Sequence, residues 1–236
     1  MSSNRPQMAK SLNIWQVYFD EVTRKSCKPE WNHYDNSDKL TEFFENSVIL
    51  DLVDQGEHYK ADYFGVFSHD VDQGINFRED GLNFTPQNLV TVVTKYGADV
   101  YAFQKRRKNA NIVTQAERYH PGFVDMMTKA LDFAGFKLPN RLDKIVLFNY
   151  MVCTADFWDN YVNDMLRPVM AFLNEYPPAY KDSGYALIGR PMTPEKEARF
   201  IKAFGQPHYP YHPFICERLA SVYLQLNPDY SFKQIF

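Results

Sequence analysis

The feature that most constrains this chain is an apolar run, residues 63–68, that ends in two acidic residues, Asp70 and Asp72. Such a run is typical of a buried strand. A strand that delivers two carboxylates at its carboxyl end suits a divalent cation carrying a phosphorylated ligand, because hard cations prefer carboxylate oxygens. A solvated turn or a helix cap is the alternative interpretation. The pattern favours an enzyme that acts on a nucleotide derivative.

Length and charge set the first limits. The chain has 236 residues, which suits one large domain with a sizeable core. The aromatic fraction of 16% is high, and these rings are expected mainly in the core, although tyrosines also line ligand clefts. The net charge of −3 offers no global attraction to nucleic acid or to an anionic membrane. Any contact with nucleic acid must therefore be local.

The cysteines and the amino terminus indicate a compartment. Cys27, Cys153 and Cys216 are odd in number and lack metal-like spacing, so they predict buried thiols in a reducing environment. Residues 1–10 are polar and do not form a signal peptide. No apolar run approaches the length of a membrane span. We expect a soluble cytoplasmic protein, in the host cytoplasm if the chain is viral or from a phage.

The elements predicted before residue 104 alternate between strand and helix. They are a strand at 14–20, a helix from Ser37 or Asp38 to Gly56, the strand at 63–68, a helix from Thr85 to Gly97 and a strand at 98–103. A strand at 48–53 is the alternative for the end of the first helix. This order predicts an α/β fold with a mostly parallel sheet flanked by helices. Ligands of such sheets bind at the carboxyl ends of strands, where Asp20, Asp70 and Asp72 would gather.

The second half of the chain is predicted to be more helical. Helices are expected at 121–134, 156–174 with a kink at Pro168, 193–204 and 213–226. In the last helix Ile215 and Leu219 mark the core face, so Glu217 lies about 160° round the helix from Leu219 and is free to face a cleft.

Two further segments carry candidate chemistry. Residues 208–218 form an aromatic, proline-containing loop that leads into a helix, in which Glu217 is a candidate general base and His208 or His212 a candidate metal ligand. For Glu217, favourable placement near the positive end of a helix is the alternative. The basic run 105–108 would neutralise a diphosphate or contact a polyanionic acceptor, with a solvated charge run as the alternative.

Motifs of other enzyme classes are absent from the sequence. It has no Gly-x-Ser-x-Gly elbow, no phosphate-binding loop of the Gly-x-x-x-x-Gly-Lys-Ser/Thr type and no Gly-x-Gly-x-x-Gly fingerprint. This leaves metal-assisted group transfer as the favoured chemistry.

With these features the chain resembles nucleotide-sugar-dependent glycosyltransferases of the GT-A type, including small bacterial, phage and viral members. The resemblance rests on the first strand at 14–20, the strand that ends in Asp70-Val71-Asp72 and the late acidic helix at 213–219. Segments 148–152 and 157–162 also look like the acceptor half of small polysaccharide-modifying transferases. The resemblance implies a Rossmann-like, nucleotide-sugar-binding half at about 11–110 and an acceptor-side helical half at about 111–236.

The resemblance also implies roles for individual residues. A Mn²⁺ or Mg²⁺ ion on Asp70, Asp72 and His212 would hold the sugar diphosphate, and Glu217 would deprotonate an acceptor hydroxyl in a direct displacement. Retention of configuration would need another role for Glu217. The remaining donor-binding candidates are Tyr18, Asp20, Ser68, His69, Asp99, Tyr101, Arg106 and Arg218.

Several alternatives remain open. A second register places the acidic motif on the strand that begins at Asp99. We expect a hexosyl- or pentosyltransferase that uses a nucleoside-diphosphate sugar, by analogy a uridine one, with a surface glycan or glycoprotein as acceptor. A hydroxymethylated base in phage-type DNA is the second acceptor, since the basic run and the aromatic residues would hold a duplex and an extruded base. A non-catalytic α/β binding module is the alternative of another class.

Overall fold

A six-stranded sheet organises the protein. The structure is a computed structural model that describes residues 9–74, 84–103, 112–184 and 192–235. The strands are β1 (Leu12–Tyr18), β2 (Asn32–Asp35), β3 (Tyr63–Ser68), β4 (Val100–Ala102), β5 (Met151–Cys153) and β6 (Phe232–Gln234). Their order across the sheet is β2-β1-β3-β5-β4-β6. β5 runs antiparallel to both neighbours, whereas the other pairs are parallel. The predicted α/β class with a mostly parallel sheet is confirmed.

Helices flank this sheet on both faces. They are α1 (Glu21–Arg24), α2 (Glu45–Asp54), α3 (Val71–Gly74), α4 (Pro86–Tyr96), α5 (Ile112–Tyr119), α6 (Phe123–Phe133), α7 (Ala155–Tyr161), α8 (Arg167–Glu175), α9 (Pro194–Phe204) and α10 (His212–Leu226). Six of these ten helices follow residue 111, which agrees with the expected helical second half. That half also supplies β5 and β6 to the sheet.

Alternating side chains of the strands divide the core into two clusters. On β3, Phe64 and Val66 join the larger cluster, which is built mainly with α2, α6, α7, α8 and α10. Tyr63 and Phe67 point to the other face and join a smaller cluster around α4. Because both faces of β3 are covered, its sequence is a continuous apolar run.

A glycine allows β3 and β5 to approach each other closely. A Cβ atom on Gly65 would lie 2.9 Å from the Met151 carbonyl oxygen and 2.9 Å from Val152 Cγ2. Such distances lie inside van der Waals contact, so any larger residue would displace β5. The absence of a side chain at Gly65 therefore allows β5 to lie directly against β3.

Several predicted helices are confirmed where local signals are strong. Thr85 caps α4 by accepting a hydrogen bond from the Asn88 amide, Pro86 starts the helix, and Gly97 ends it with φ +61°. α9 follows the same pattern behind its cap, Thr193. In the helical stretch at 155–175, a π-helical turn, Val162–Leu166, precedes Pro168. This wider turn is a common form of local irregularity next to a proline, whose ring leaves an earlier carbonyl without its helical partner.

Other boundaries differ from the predictions. The first long helix begins at Glu45 instead of Ser37 or Asp38, and residues 48–53 are helical, so the alternative strand is wrong. β2 was not among the predicted strands, because its mostly exposed, polar residues lack the alternation of a half-buried strand. α10 is also more deeply buried than one amphipathic face would require, because elements pack around nearly its whole circumference.

Candidate functional site

The carboxyl ends of β1 and β3 form the crevice in which a ligand of this sheet is expected. From β1 the chain moves to β2 on one side and then to β3 on the other side of β1. Ligands of open α/β sheets bind where the strand order reverses in this way. The residues after the two strands contact each other here, since the Phe19 and His69 rings lie 5.7 Å apart, edge to face.

Asp70 and Asp72 lie at this crevice with different partners. The Ser68 hydroxyl donates a hydrogen bond to Asp70, whereas Asp72 accepts one from Lys28 Nζ at 2.6 Å. Gln16 links these parts, because its amide donates to the Ser68 carbonyl at 3.2 Å and accepts from the Lys28 amide at 2.6 Å. Both carboxylates therefore sit on segments that hydrogen bonds hold in place.

Glu217 reaches the same region from α10. Within residues 212–224 it alone is only partly buried, which agrees with the expected orientation toward a cleft. Burial raises its pKa to about 7; the Arg218 guanidinium opposes this rise and the Glu45 carboxylate adds to it. At neutral pH a carboxyl with this pKa exchanges protons readily, as a general base must.

Glu45 is a second carboxyl of the same kind. It is the first residue of α2, and burial raises its pKa to about 7, with Asp70 adding to the rise. The Glu45 charge raises the pKa of Glu217, as Asp70 raises that of Glu45, so the ionisation of these neighbouring carboxyls is linked.

Tyr150 lies at the centre of these groups. Its hydroxyl is 3.2 Å from Ser68 Oγ, and burial raises its pKa, with further increases from Asp70, Glu45 and Glu217. We call Glu45, Ser68, Asp70, Tyr150 and Glu217 the carboxyl-edge site. It joins β3, α2, α10 and the residue before β5, which are far apart in the chain.

The backbone beside this site is strained. Among described residues other than glycine, φ is positive at Phe44 (52°), Phe148 (58°) and Asn149 (55°). Phe44 precedes Glu45, and the other two precede Tyr150. Such conformations cost about 1–3 kcal/mol each and persist where the surroundings enforce them, often at functional sites. Here the Phe44 ring stacks on Tyr209, and the Asn149 amide donates to Asn46 Oδ1 at 3.0 Å.

Arg199 is a cation that sequence reasoning missed. It lies on α9, 3.8 Å from Asp20 and 5.8 Å from the Phe19 ring centroid, and its charge contributes to lowering the pKa of His69, after burial. Its Nε is buried without a hydrogen-bond partner in the described part of the chain. No motif marks Arg199 in the sequence, because only the packing of α9 brings it to the crevice.

The other predicted donor residues at this edge have structural partners. Asp20 caps α1 by accepting from the Thr23 amide at 2.7 Å, and Tyr18 hydrogen-bonds to Asp35. Arg218 is buried, with its guanidinium donating to the Phe214 carbonyl and lying 3.9 Å from Glu217. Burial lowers the pKa of Arg218, and Glu217 opposes this change. Its placement suits balancing the Glu217 charge.

Asp99 and Tyr101 lie elsewhere. β3 and β4 run in the same direction, so Asp99, which precedes β4, lies at the opposite edge from Asp70. Tyr101 is buried in the smaller core cluster, where its hydroxyl donates to the Val93 carbonyl and accepts from the Ala98 amide. The structure thus separates the two proposed registers of the acidic motif and joins only the Asp70 register to Glu217.

Asp99 contributes to a separate pocket of about 550 Å³, which we call the acidic pocket. Its lining residues are Asp99, Asp156, Asn160, Asp164, Tyr223, Asn227, Asp229 and Tyr230. Several of these carboxylates accept hydrogen bonds from hydroxyl and amide groups. Asp99 accepts one from the Ser231 amide at 2.8 Å, and Asp156 accepts one from the Tyr230 hydroxyl at 3.0 Å.

The predicted metal ligands are only partly brought together. His212 is fully buried, with its ring 4.9 Å from Phe43 and 4.6 Å from Tyr180, and burial lowers its pKa to about 4. No three His, Cys, Asp or Glu side chains of the described residues are grouped as a metal site. Asp70 and Asp72 still fit a hard cation, since Mg²⁺ needs only one or two protein carboxylates beside substrate phosphates.

The remaining candidates from the sequence are the basic run with Arg106, and His208. Arg106 and the basic run 105–108 lie outside the described residues. His208 Nε2 donates to the Tyr180 carbonyl at 3.0 Å, so it helps to hold the loop before α10.

Comparison with known proteins identifies no relative of the chain. No protein-family model matches the chain, and neither the curated proteins nor the solved structures contain a significant match. Among described residues no helix is both long and apolar enough to cross a membrane. Any functional interpretation must therefore come from the carboxyl-edge site itself.

Proposed function

We propose that the protein is a glycosyltransferase that moves a sugar from a nucleoside-diphosphate sugar, with uridine as the expected nucleoside, to an acceptor hydroxyl. One observation carries the proposal: the desolvated Glu217 carboxyl shares the carboxyl-edge site with Asp70, at the point where the strand order reverses. This combination provides a base near neutral pH beside the place where a phosphorylated ligand is expected.

In the proposed reaction Glu217 accepts the proton of the acceptor hydroxyl. The acceptor oxygen then forms a bond to the anomeric carbon while the bond from that carbon to the diphosphate oxygen breaks. The nucleoside diphosphate leaves with the electron pair of the broken bond. A direct displacement of this kind inverts the configuration at the anomeric carbon.

Cationic groups near the crevice would offset the charge of the leaving group. Arg199 has a partly exposed side chain, and its guanidinium would donate to a phosphate oxygen. Lys28 lies beside Asp72 and would interact with the same diphosphate. Asp70 and Asp72 would hold Mn²⁺ or Mg²⁺, and such an ion, when bound, supplies further neutralisation of the diphosphate.

The compartment forms part of the proposal. Cys27, Cys153 and Cys216 are free and buried, which fits a reducing environment such as the cytoplasm, or the host cytoplasm for a viral or phage chain.

Donor hydrolysis provides the direct test. The purified chain is incubated with a panel of nucleotide sugars and Mn²⁺, and released nucleoside diphosphate is measured. We expect hydrolysis of at least one donor, and its loss in the double variant Asp70→Asn/Asp72→Asn. The control is Asp54→Asn, which removes an exposed carboxylate that pairs with Arg167 on the distant end of α2.

The outcomes separate the alternatives. Donor binding without hydrolysis or transfer to any acceptor would favour a binding module instead of an enzyme. Unchanged hydrolysis in the double variant would remove Asp70 and Asp72 from the donor site. A steep loss of transfer to hydroxymethylated DNA with added salt would instead favour the DNA acceptor.

A further inference from the structure

Phe148 is a feature that the proposed reaction leaves unused. Its side chain is 52% exposed, although it is a large apolar ring, and its backbone has φ 58°. The left-handed region is unfavourable for a bulky residue, and an exposed ring recovers little of this cost through burial.

The positive φ of the neighbouring residue, Asn149, has a structural explanation. Asn149 also has a positive φ, 55°, but asparagine tolerates this conformation, and its side chain is buried and hydrogen-bonded to Asn46. The need for this turn thus explains Asn149. It does not explain why a phenylalanine stands before it.

The position of the ring suggests a use. The Phe148 ring centroid lies 5.7 Å from that of Tyr150, whose hydroxyl is 3.2 Å from Ser68 Oγ. The Glu45, Asp70 and Glu217 carboxylates all act on Tyr150. Phe148 therefore presents an apolar surface one ring away from the carboxyl-edge site.

We propose that Phe148 is the acceptor platform: its exposed ring stacks on the apolar C–H face of a sugar in a glycan acceptor and positions a hydroxyl of that sugar toward Glu217. This inference rests on the proposed function and specifies its acceptor as a carbohydrate. An aromatic ring suits such a face because the face is apolar while the hydroxyls around it are polar.

The charges nearby favour a sugar over a nucleotide. Glu45 and Glu217, to which no cation is assigned, both act on Tyr150, and their ionised carboxylates would repel the phosphates that flank an extruded base. A neutral sugar instead offers hydroxyl donors to the same carboxylates. The carbohydrate is therefore the acceptor class that agrees with both the ring and its surroundings.

Replacement of Phe148 by glycine tests the platform, because it should weaken binding of the acceptor without lowering the stability of the fold. Phe148→Gly removes the ring and accepts φ 58° without strain. We expect the KM for a glycan acceptor to rise about 10-fold with little change in kcat, while the midpoint of thermal unfolding stays constant or rises by about 2–4 °C. Phe148→Trp should retain the wild-type KM.

A binding measurement makes the test independent of the donor. In saturation-transfer NMR with methyl glycosides, the full chain should saturate C–H protons on one face of a sugar ring, and Phe148→Gly should lose this effect. Phe133→Ala is the matched control, since Phe133 is 63% exposed on α6, away from the carboxyl-edge site.

Three results would overturn the platform. They are an unchanged glycan KM in Phe148→Gly, no saturation of any methyl glycoside by the wild-type chain, and dependence on Phe148 only with hydroxymethylated duplex DNA. A wild-type chain that hydrolyses no donor but still saturates glycosides through Phe148 would refute the proposed transfer reaction and retain the sugar platform.

Discussion

Two regions rich in carboxyl groups lie at opposite edges of the same sheet, and they differ in how water reaches them. The acidic pocket at the amino ends of β4 and β6 has a volume of about 550 Å³ and opens widely to solvent. The carboxyl-edge site is more closely packed, and burial raises the pKa values of Glu45 and Glu217 to about 7.

The partners of the carboxylates differ as well. In the acidic pocket, hydroxyl groups serve as donors: Tyr230 to Asp156 at 3.0 Å and Tyr223 to Asp164 at 3.2 Å. At the carboxyl-edge site burial dominates: Asp70 adds to the raised pKa of Glu45, while the Arg218 guanidinium opposes and the Glu45 charge adds to that of Glu217. Strained backbone also accompanies only the second region among the described residues.

Desolvation raises the pKa of a carboxyl and prepares it to exchange a proton near neutral pH. Burial has this effect on Glu45 and Glu217, whose pKa values rise to about 7. For this reason the proposed chemistry uses the carboxyl-edge site and not the acidic pocket.

The largest expected effect comes from Glu217→Gln. If Glu217 is the base, this change should lower kcat for sugar transfer by about 10²–10⁴-fold while the fold is retained. The matched variant in the acidic pocket is Asp156→Asn, for which we expect kcat within about twofold of the wild type. Steady-state kinetics with one donor and one acceptor compares them. Equal losses in both variants would break the contrast between the regions.

The second prediction concerns stability against pH. Folding raises the pKa of Glu45 and Glu217 from 4.5 to about 7, so between these pH values the folded state binds more protons than the unfolded state. The stability from these groups is thus present below about pH 4.5 and is lost as pH rises through about 7, on the order of 3 kcal/mol for each carboxyl.

Chemical denaturation at pH 5 and pH 8 measures this difference. The double variant Glu45→Gln/Glu217→Gln should flatten the profile, whereas Asp156→Asn/Asp164→Asn in the acidic pocket should leave it unchanged. A wild-type profile that does not fall over this range would contradict the desolvated pair.

A smaller effect is expected from Arg199→Gln. Removal of this charge should raise the KM for the donor by about 10-fold, because a charge-assisted hydrogen bond to phosphate is lost. Lys202→Gln, an exposed change on the same helix, is the control. A larger change in the acceptor KM than in the donor KM would show that Arg199 contacts the acceptor and not the donor diphosphate.

The smallest effect is expected from a matched pair of tyrosines. Tyr150→Phe removes the hydroxyl that contacts Ser68 and should lower kcat/KM by roughly 3–10-fold, the value of one neutral hydrogen bond. Tyr230→Phe removes a hydroxyl of the acidic pocket and should leave kcat/KM unchanged. A greater loss in Tyr230→Phe would reverse the assignment of the two regions.

Local signals in the sequence were enough for part of this account. The apolar run of β3, the Thr85 cap with Gly97 after α4, and the outward position of Glu217 all follow from patterns within a few residues. These features depend on local backbone preferences and on helical geometry, which one segment contains by itself.

Features formed by tertiary packing could not be predicted in the same way. Glu45, Tyr150 and Arg199 reach the crevice from α2, the segment before β5 and α9, and no spacing in the sequence links them. The start of α2 was also missed, because its cap residue is Phe44 with φ 52°, a conformation that no sequence rule assigns to phenylalanine.

Titration of the glutamate carboxyl carbons by ¹³C NMR tests the central claim most directly. With Glu45→Gln and Glu217→Gln spectra for assignment, we expect both carboxyls to titrate with apparent pKa values near 7. If both titrate near the ordinary glutamate value of about 4.3, burial does not raise their pKa values, and the proposed base is lost.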